Sequence, residues 1–216
     1  MISILMPVYN GVEFFEDSYN SILKQTFKNW ELLIGINGHE KKSDIYKFIK
    51  AKTSVEDRVR IYDLAFKGKS KTLNFLTKKT IHDYIAILDV DDLWESQKLE
   101  KQIPHLAKYD IVGTNCQYIG DMDTNPHLIL GEINNSDFLQ FNTMINSSAI
   151  IKKELCYWME SLPGLEDYEL WLRLAKHNKK FFNLSDVLTF HRIHRSSHFN
   201  TKDFTSLEKE LKLRWA

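Results

Sequence analysis

Four short apolar runs, separated by stretches of helical periodicity, constrain this chain more than any other feature. Ile2–Met6, Trp30–Ile36, Val59–Tyr62 and Tyr84–Leu88 have the length and continuous apolarity of strands buried on both faces. Pro7 and Asn10-Gly11 end the first run, and Asn37-Gly38 ends the second. Residues 12–25 carry Phe14, Phe15, Tyr19, Ile22 and Leu23 at helical spacing, and further helices are expected over 43–52 and 71–79. Strand–helix alternation of this kind predicts an α/β fold, with a mostly parallel sheet flanked by helices on both faces.

The second half is less regular. A strand is expected over 110–116, an exposed turn-rich loop over 120–126 (with Asp121, Asp123 and Asn125), and a short buried strand over 147–151. Pro163-Gly164 precedes a helix that carries Glu166 and Asp167 in its first turn and Leu170 and Leu174 on its apolar face. Phe204, Leu207, Leu211 and Trp215 lie near one stripe of a C-terminal amphipathic helix that also bears Lys209, Lys212 and Arg214. Such a helix can dock on its own domain, lie on a membrane surface or join a partner domain.

Composition removes several classes. Lys+Arg and Asp+Glu are balanced at 29 each, whereas a nucleic-acid binder usually shows a basic excess. The two cysteines, Cys116 and Cys156, do not make a disulfide framework, suit a reducing compartment and lack the spacing of a zinc site. The N-terminus has no signal-peptide pattern, and no apolar stretch approaches the roughly 20 residues of a membrane span. A cytoplasmic chain, soluble or peripheral to a membrane, is expected.

The chemistry concentrates where the fourth run ends, at Asp89-Val90-Asp91-Asp92. Open α/β sheets place ligands at the carboxyl ends of their strands. Three carboxylates there repel one another unless a cation or hydrogen-bond donors stabilise them. Hard cations such as Mg²⁺ or Mn²⁺ take one or two carboxylates together with substrate phosphates, which points to a metal–phosphate site; an acidic turn without chemistry is the plain alternative. Glu166 and Asp167 are open to two readings as well. First-turn carboxylates are favoured by the helix dipole, and one held there can also serve as a general base.

Five ordered stretches resemble family 2 glycosyltransferases. They are Met6-Pro7-Val8-Tyr9-Asn10-Gly11, Ser21–Phe27 with Trp30–Ile34, Leu88–Asp92, Glu166–Arg173 and His191-Arg192-Ile193-His194. The resemblance covers nearly the whole chain. It implies a GT-A (Rossmann-like) fold with a smaller acceptor-side β region, built as a single domain over 1–216. Within it, about 1–115 would bind the nucleotide sugar, about 116–200 the acceptor, and about 201–216 would form the C-terminal helix. It further implies a nucleotide-sugar donor, a divalent metal (Mn²⁺ or Mg²⁺), inversion at the anomeric carbon, and a glycan or glycoconjugate acceptor, with further domains possible in a longer protein.

The implied roles follow position by position. Pro7 and Tyr9 frame the donor base, with an aromatic face stacking on uracil. Asp91 and Asp92 form the acidic motif, one near the ribose and the last on the metal; Asp89 orients the turn or touches the nucleotide. Asp167 is the base that deprotonates the acceptor, and Glu166 positions its surroundings. Lys71 reaches the base or phosphates, Arg192 suits phosphate oxygens, and His194 completes the metal shell or binds phosphate. Trp94, Trp158 and Tyr168 are expected to stack on acceptor sugars.

One departure concerns the base. Where the family usually carries two aspartates after its second strand, this chain has Ile36 and Asn37. Asn37 can still accept the N3–H of uracil, so a UDP-sugar is the expected donor. Two rivals remain: a sugar nucleotidyltransferase, whose glycine-rich phosphate loop this chain lacks, and a non-catalytic nucleotide- or glycan-binding module.

Overall fold

The computed structural model describes residues 1–122, 124–194 and 203–216. Four strands, β1 (Ile2–Val8), β2 (Trp30–Asn37), β3 (Val59–Leu64) and β4 (Tyr84–Ile87), form a parallel half-sheet in the order β3-β2-β1-β4. Helices α1 (Phe15–Leu23), α2 (Asp44–Thr53) and α3 (Lys69–Thr77) make the crossovers. Each was expected within a few residues, although α3 begins two residues earlier than its apolar pattern predicts.

β1 is buried along its whole length and feeds both faces of the sheet. Ile2, Ile4, Met6 and Val8 pack with Phe15, Tyr19 and Ile22 of α1 on one side. Leu5 joins Leu33, Ile85 and Ile87 against Leu73 and Leu76 of α3 on the other. Each fully buried side chain of this size contributes about 1.5–3 kcal/mol of transfer free energy. Gly35 lets α3 lie close on β2, because a Cβ there would sit 2.5 Å from Thr72 Cγ2.

The sheet then changes direction. β4 pairs antiparallel with β8 (Ile150–Lys152), and β8 pairs antiparallel with β6 (Ile111–Gly120). β6 runs parallel to β9 (Phe181–Ile193), with a register shift around Asn115. β9 also pairs with β5 (Leu93–Trp94) and β7 (Gly131–Ile133), completing nine strands among the described residues. The 13-residue β9 has no counterpart in the sequence reading, because its polar interruptions, Asn183, Ser185 and Asp186, hide the strand pattern. It carries His191 and Arg192 in a ladder rather than in a free loop. The strand expected over 147–151 is a 3-10 turn at Asn146–Ser148 followed by β8. Asp123, expected in the loop over 120–126, lies outside the described residues.

Helices α4 (Lys98–Gln102) and α5 (Glu166–Lys176) cover the second half, and α6 (Thr205–Trp215) docks on α5. Leu211 is 1% exposed, and Lys212 Nζ donates to the Gln140 carbonyl at 2.8 Å. Among the described residues no helix is long and apolar enough to cross a membrane.

Candidate active site

The carboxyl ends of β1, β2 and β4 lie side by side, and the turn after β4 brings Asp89, Asp91 and Asp92 to that edge. The three carboxylates have different environments. Asp92 is fully buried. Its carboxylate accepts from His191 Nδ1 at 2.9 and 3.0 Å and from the Arg192 N–H at 2.9 Å. Burial alone would raise its proton affinity, but the His191 charge and these donors hold it below the usual aspartate value. Burial works against a charged His191, yet Asp92, followed by Asp91 and Asp89, raises the imidazole to about 9. Asp92, expected on a metal, is thus enclosed by donors that bind β9 to the acidic turn.

Asp91 is the carboxylate of the pair that faces outward, with a quarter of its side chain exposed. Its Oδ2 lies 3.1 Å from His194 Nε2. Burial, with Asp92 and Asp89 adding to it, pushes its pKa up to about 6 against the opposing effects of His194 and Lys69. Asp89 accepts from Lys69 Nζ at 2.6 Å and from Asn146 Nδ2 at 3.4 Å, while its N–H donates to Ser147 Oγ at 3.1 Å.

Lys69 joins this turn to the start of α5. Its Nζ is 3.8 Å from Glu166 Oε1. Burial opposes its charge, but Asp89 and Glu166, together with Asp167, hold the ammonium well above the usual lysine range. Glu166 is 6% exposed and accepts the Gly164 N–H at 2.5 Å. Asp167 accepts the Tyr168 N–H at 2.8 Å. Burial, then the neighbouring Glu166, pushes Asp167 up to about 6, with Lys69 pulling the other way. Lys69 was missed in favour of Lys71, although both belong to one short stretch. Residues two apart on a helix do not share a face, and Lys71 is exposed with its ammonium 4.8 Å from the Phe66 ring.

On the nucleotide side, both ends of the Asn37 amide have protein partners. This residue is 2% exposed, donates to the Val8 carbonyl at 2.9 Å and accepts the Gly68 N–H at 3.0 Å. Its amide is therefore engaged in clasping β1 to the loop before α3. Pro7 is buried in β1 opposite Gly35. Tyr9 is half-buried, with the His39 ring stacked on it at 5.2 Å and Lys67 Nζ 4.2 Å from its centroid. Gly38 has a positive φ of 74°, and a Cβ there would meet the Tyr9 ring at 2.8 Å, so this turn admits the ring only because the residue is glycine.

Arg192 donates through Nε to the Asp91 carbonyl at 2.9 Å and places its guanidinium 4.6 Å from the Phe14 ring. The three aromatics expected at an acceptor surface pack inside instead. Trp94, Trp158 and Tyr168 are 4%, 0% and 2% exposed, and the Tyr168 hydroxyl donates to the Phe138 carbonyl.

Among the described residues, no group of three or more His, Cys, Asp or Glu side chains is arranged to hold a metal ion by itself. Asp91 and His194 fit a narrower role: one carboxylate and one imidazole at the edge of the site, for a cation that takes its remaining ligands from a diphosphate and water.

The chain matches known proteins in both sequence and fold. Residues 3–158 match the sequence profile of Glycosyl transferase family 2. Over 212 residues the chain is 32% identical to the O-antigen biosynthesis glycosyltransferase WbnJ of Escherichia coli, covering 91% of this chain and 81% of that protein. It is 30% identical over 224 residues to the UDP-Glc:alpha-D-GlcNAc-diphosphoundecaprenol beta-1,3-glucosyltransferase WfgD of Escherichia coli, covering 100% of this chain and 84% of the relative. The structure of S. aureus TarS 1-349 in complex with UDP-GlcNAc superposes with a TM-score of 0.79 at 17% identity, over 94% of this chain and 61% of that one. The chain therefore spans less than two thirds of that solved structure, which shares its GT-A fold. With the acidic turn, the carboxylates at the start of α5 and the sheet that joins them, these matches show that the chain belongs to the family 2 glycosyltransferases.

Proposed function

We propose that this chain transfers a sugar from a UDP-sugar to a hydroxyl of a glycan or glycoconjugate, with inversion at the anomeric carbon. The observation that carries the reading is the convergence of Asp89, Lys69 and Glu166 at the carboxyl edge of the sheet, which sets the Asp91 turn beside the Glu166–Asp167 pair. WfgD is named for a UDP-Glc donor, TarS was solved with UDP-GlcNAc, and both support the choice of nucleotide.

In this reading Tyr9 provides the aromatic face for the base, and the His39 ring now stacked on it yields that place. Asp167 takes the proton of the acceptor hydroxyl. The freed oxygen forms its bond to the anomeric carbon as the bond to the diphosphate breaks, and the diphosphate leaves with the electron pair. A single displacement inverts the centre. A base with a pKa near 6 is ionised at neutral pH and still basic enough to accept a proton in the transition state. Glu166, fixed by the Gly164 N–H, holds the start of α5 in place. Arg192, on β9, offers its cationic edge to phosphate oxygens. Asp91 and His194 would hold a Mn²⁺ or Mg²⁺ ion, which when bound offsets charge on the departing diphosphate. The Mannosyltransferase PcManGT from Pyrobaculum calidifontis, solved with GDP-Man and Mn²⁺, supports a metal in this fold.

The test pairs binding with turnover. Melting temperature is measured with UDP, GDP, TDP and CDP, each with Mn²⁺ and with EDTA. Release of UDP from UDP-Glc and UDP-GlcNAc is then followed with a lipid-linked sugar-diphosphate acceptor. A UDP-specific rise that EDTA removes, together with acceptor-dependent UDP release, is expected. Stabilisation by another nucleotide alone would overturn the choice of donor.

A further inference from the structure

We propose that Lys69 is a positioning residue whose ammonium ties the donor-side carboxylate Asp89 to Glu166 at the start of α5, and so holds the adjoining base, Asp167, in its reactive form. The proposal rests on the assignment of Asp167 as base and adds to it a residue on a different helix.

The geometry is a continuous chain of contacts. The Val8 carbonyl accepts from Asn37, and Asn37 accepts the Gly68 N–H. Gly68 is the residue before α3, and its φ of 129° is one that side-chain-bearing residues rarely adopt. The Asn37 clasp thus fixes where α3 begins and points its first residue, Lys69, across the site. From there Lys69 Nζ reaches Asp89 at 2.6 Å and Glu166 at 3.8 Å. About a third of the Lys69 side chain remains exposed, so it lies within reach of an entering ligand.

Without this cation, Asp89, Glu166 and Asp167 would keep only neutral donors, the Asn146 amide and the Gly164 and Tyr168 N–H groups, to offset their charge. Burial, then Glu166 and Asp89, favours the protonated form of Asp167, and Lys69 and the Tyr168 N–H favour the carboxylate. Lys69 supplies positive charge from a different helix. A base on α5 is thereby kept charged by a helix that belongs to the nucleotide half. Lys71, two residues on and exposed, cannot substitute.

The experiment follows Asp167 directly. The full chain, with aspartate carboxyl carbons labelled with ¹³C, is titrated by NMR in EDTA as wild type, K69M and K69R. The Asp167 signal is identified by its loss in D167N, and the melting temperature of each variant confirms folding. The midpoint of Asp167 is expected to rise by about one pH unit or more in K69M and to return toward the wild-type value in K69R. The acid limb of kcat/KM should move by the same amount. Coincident midpoints in wild type and K69M would overturn the proposal. If K69M does not fold, K69Q supplies the same comparison with a polar side chain. Retention of full transfer by D167N would sink the assignment of the base instead, leaving the Lys69 titration readable without turnover.

Discussion

Asp92 and His191, 99 positions apart in sequence, form a closed ion pair with Nδ1 2.9 Å from Oδ1. The pair locks the turn after β4 to the end of β9, and the Arg192 N–H adds a third bond to the same carboxylate. It places two adjacent aspartates in different environments. Asp92 is fully buried against β9, and a quarter of the Asp91 side chain is exposed.

That division predicts opposite outcomes for neighbouring substitutions. D92A leaves His191 uncompensated and should lower unfolding free energy by about 3–5 kcal/mol in urea denaturation. D91N should stay within about 1 kcal/mol of wild type while losing the part of UDP stabilisation that depends on Mn²⁺. Equal stability of D92A and wild type would show that the pair does not support the turn.

Asn37 should behave as a structural clasp. N37A removes a buried donor to Val8 and a partly buried acceptor for Gly68, and should cost about 1–3 kcal/mol in chemical denaturation. N37D keeps the acceptor but sets a carboxylate against the Val8 carbonyl, so it should be no more stable than N37A. An unchanged denaturation midpoint in N37A would return Asn37 to the role of base reader.

Asp167 predicts a trade between activity and stability. Its folded pKa of about 6 lies above the ordinary aspartate value of about 3.8, so the folded state binds its proton more tightly than the unfolded one. The sign is therefore destabilising once pH passes the unfolded value, and the penalty is complete above about pH 6. D167N should then melt roughly 2–8 °C higher than wild type at pH 7.5 and lose that advantage near pH 4. Its kcat should fall by about 10²–10⁴-fold. A D167N melting point below wild type at pH 7.5 would contradict the environment described for this carboxylate.

Tyr9 provides a test of the nucleotide slot. Y9A should weaken UDP binding by about tenfold in calorimetry, in line with loss of a stacking face worth about 0.5–1.5 kcal/mol. Y9F keeps the ring and loses only the hydrogen bond from Lys67 at 2.8 Å, so its UDP affinity should stay within about twofold of wild type. Identical affinity of Y9A and wild type would place the base elsewhere.

The parallel half-sheet and its crossovers were legible in the sequence, because buried strands and amphipathic helices write their periods locally. The position of the acidic turn at a strand end and of Glu166–Asp167 at a helix start was legible for the same reason. What each side chain does was decided by the tertiary structure. Asp91 and Asp92 are adjacent in sequence, yet only β9, whose polar interruptions obscured it, determines which of them is enclosed. Lys69 and Lys71 read alike until the Asn37–Gly68 contact sets the start of α3 and aims one inward. Asn37 looked available to a base because its partners, Val8 and Gly68, are 29 and 31 residues away. Local sequence fixes backbone period and residue chemistry. Burial, pairing and proton affinity arise from charges and walls brought from distant segments, and only the folded chain puts those in place.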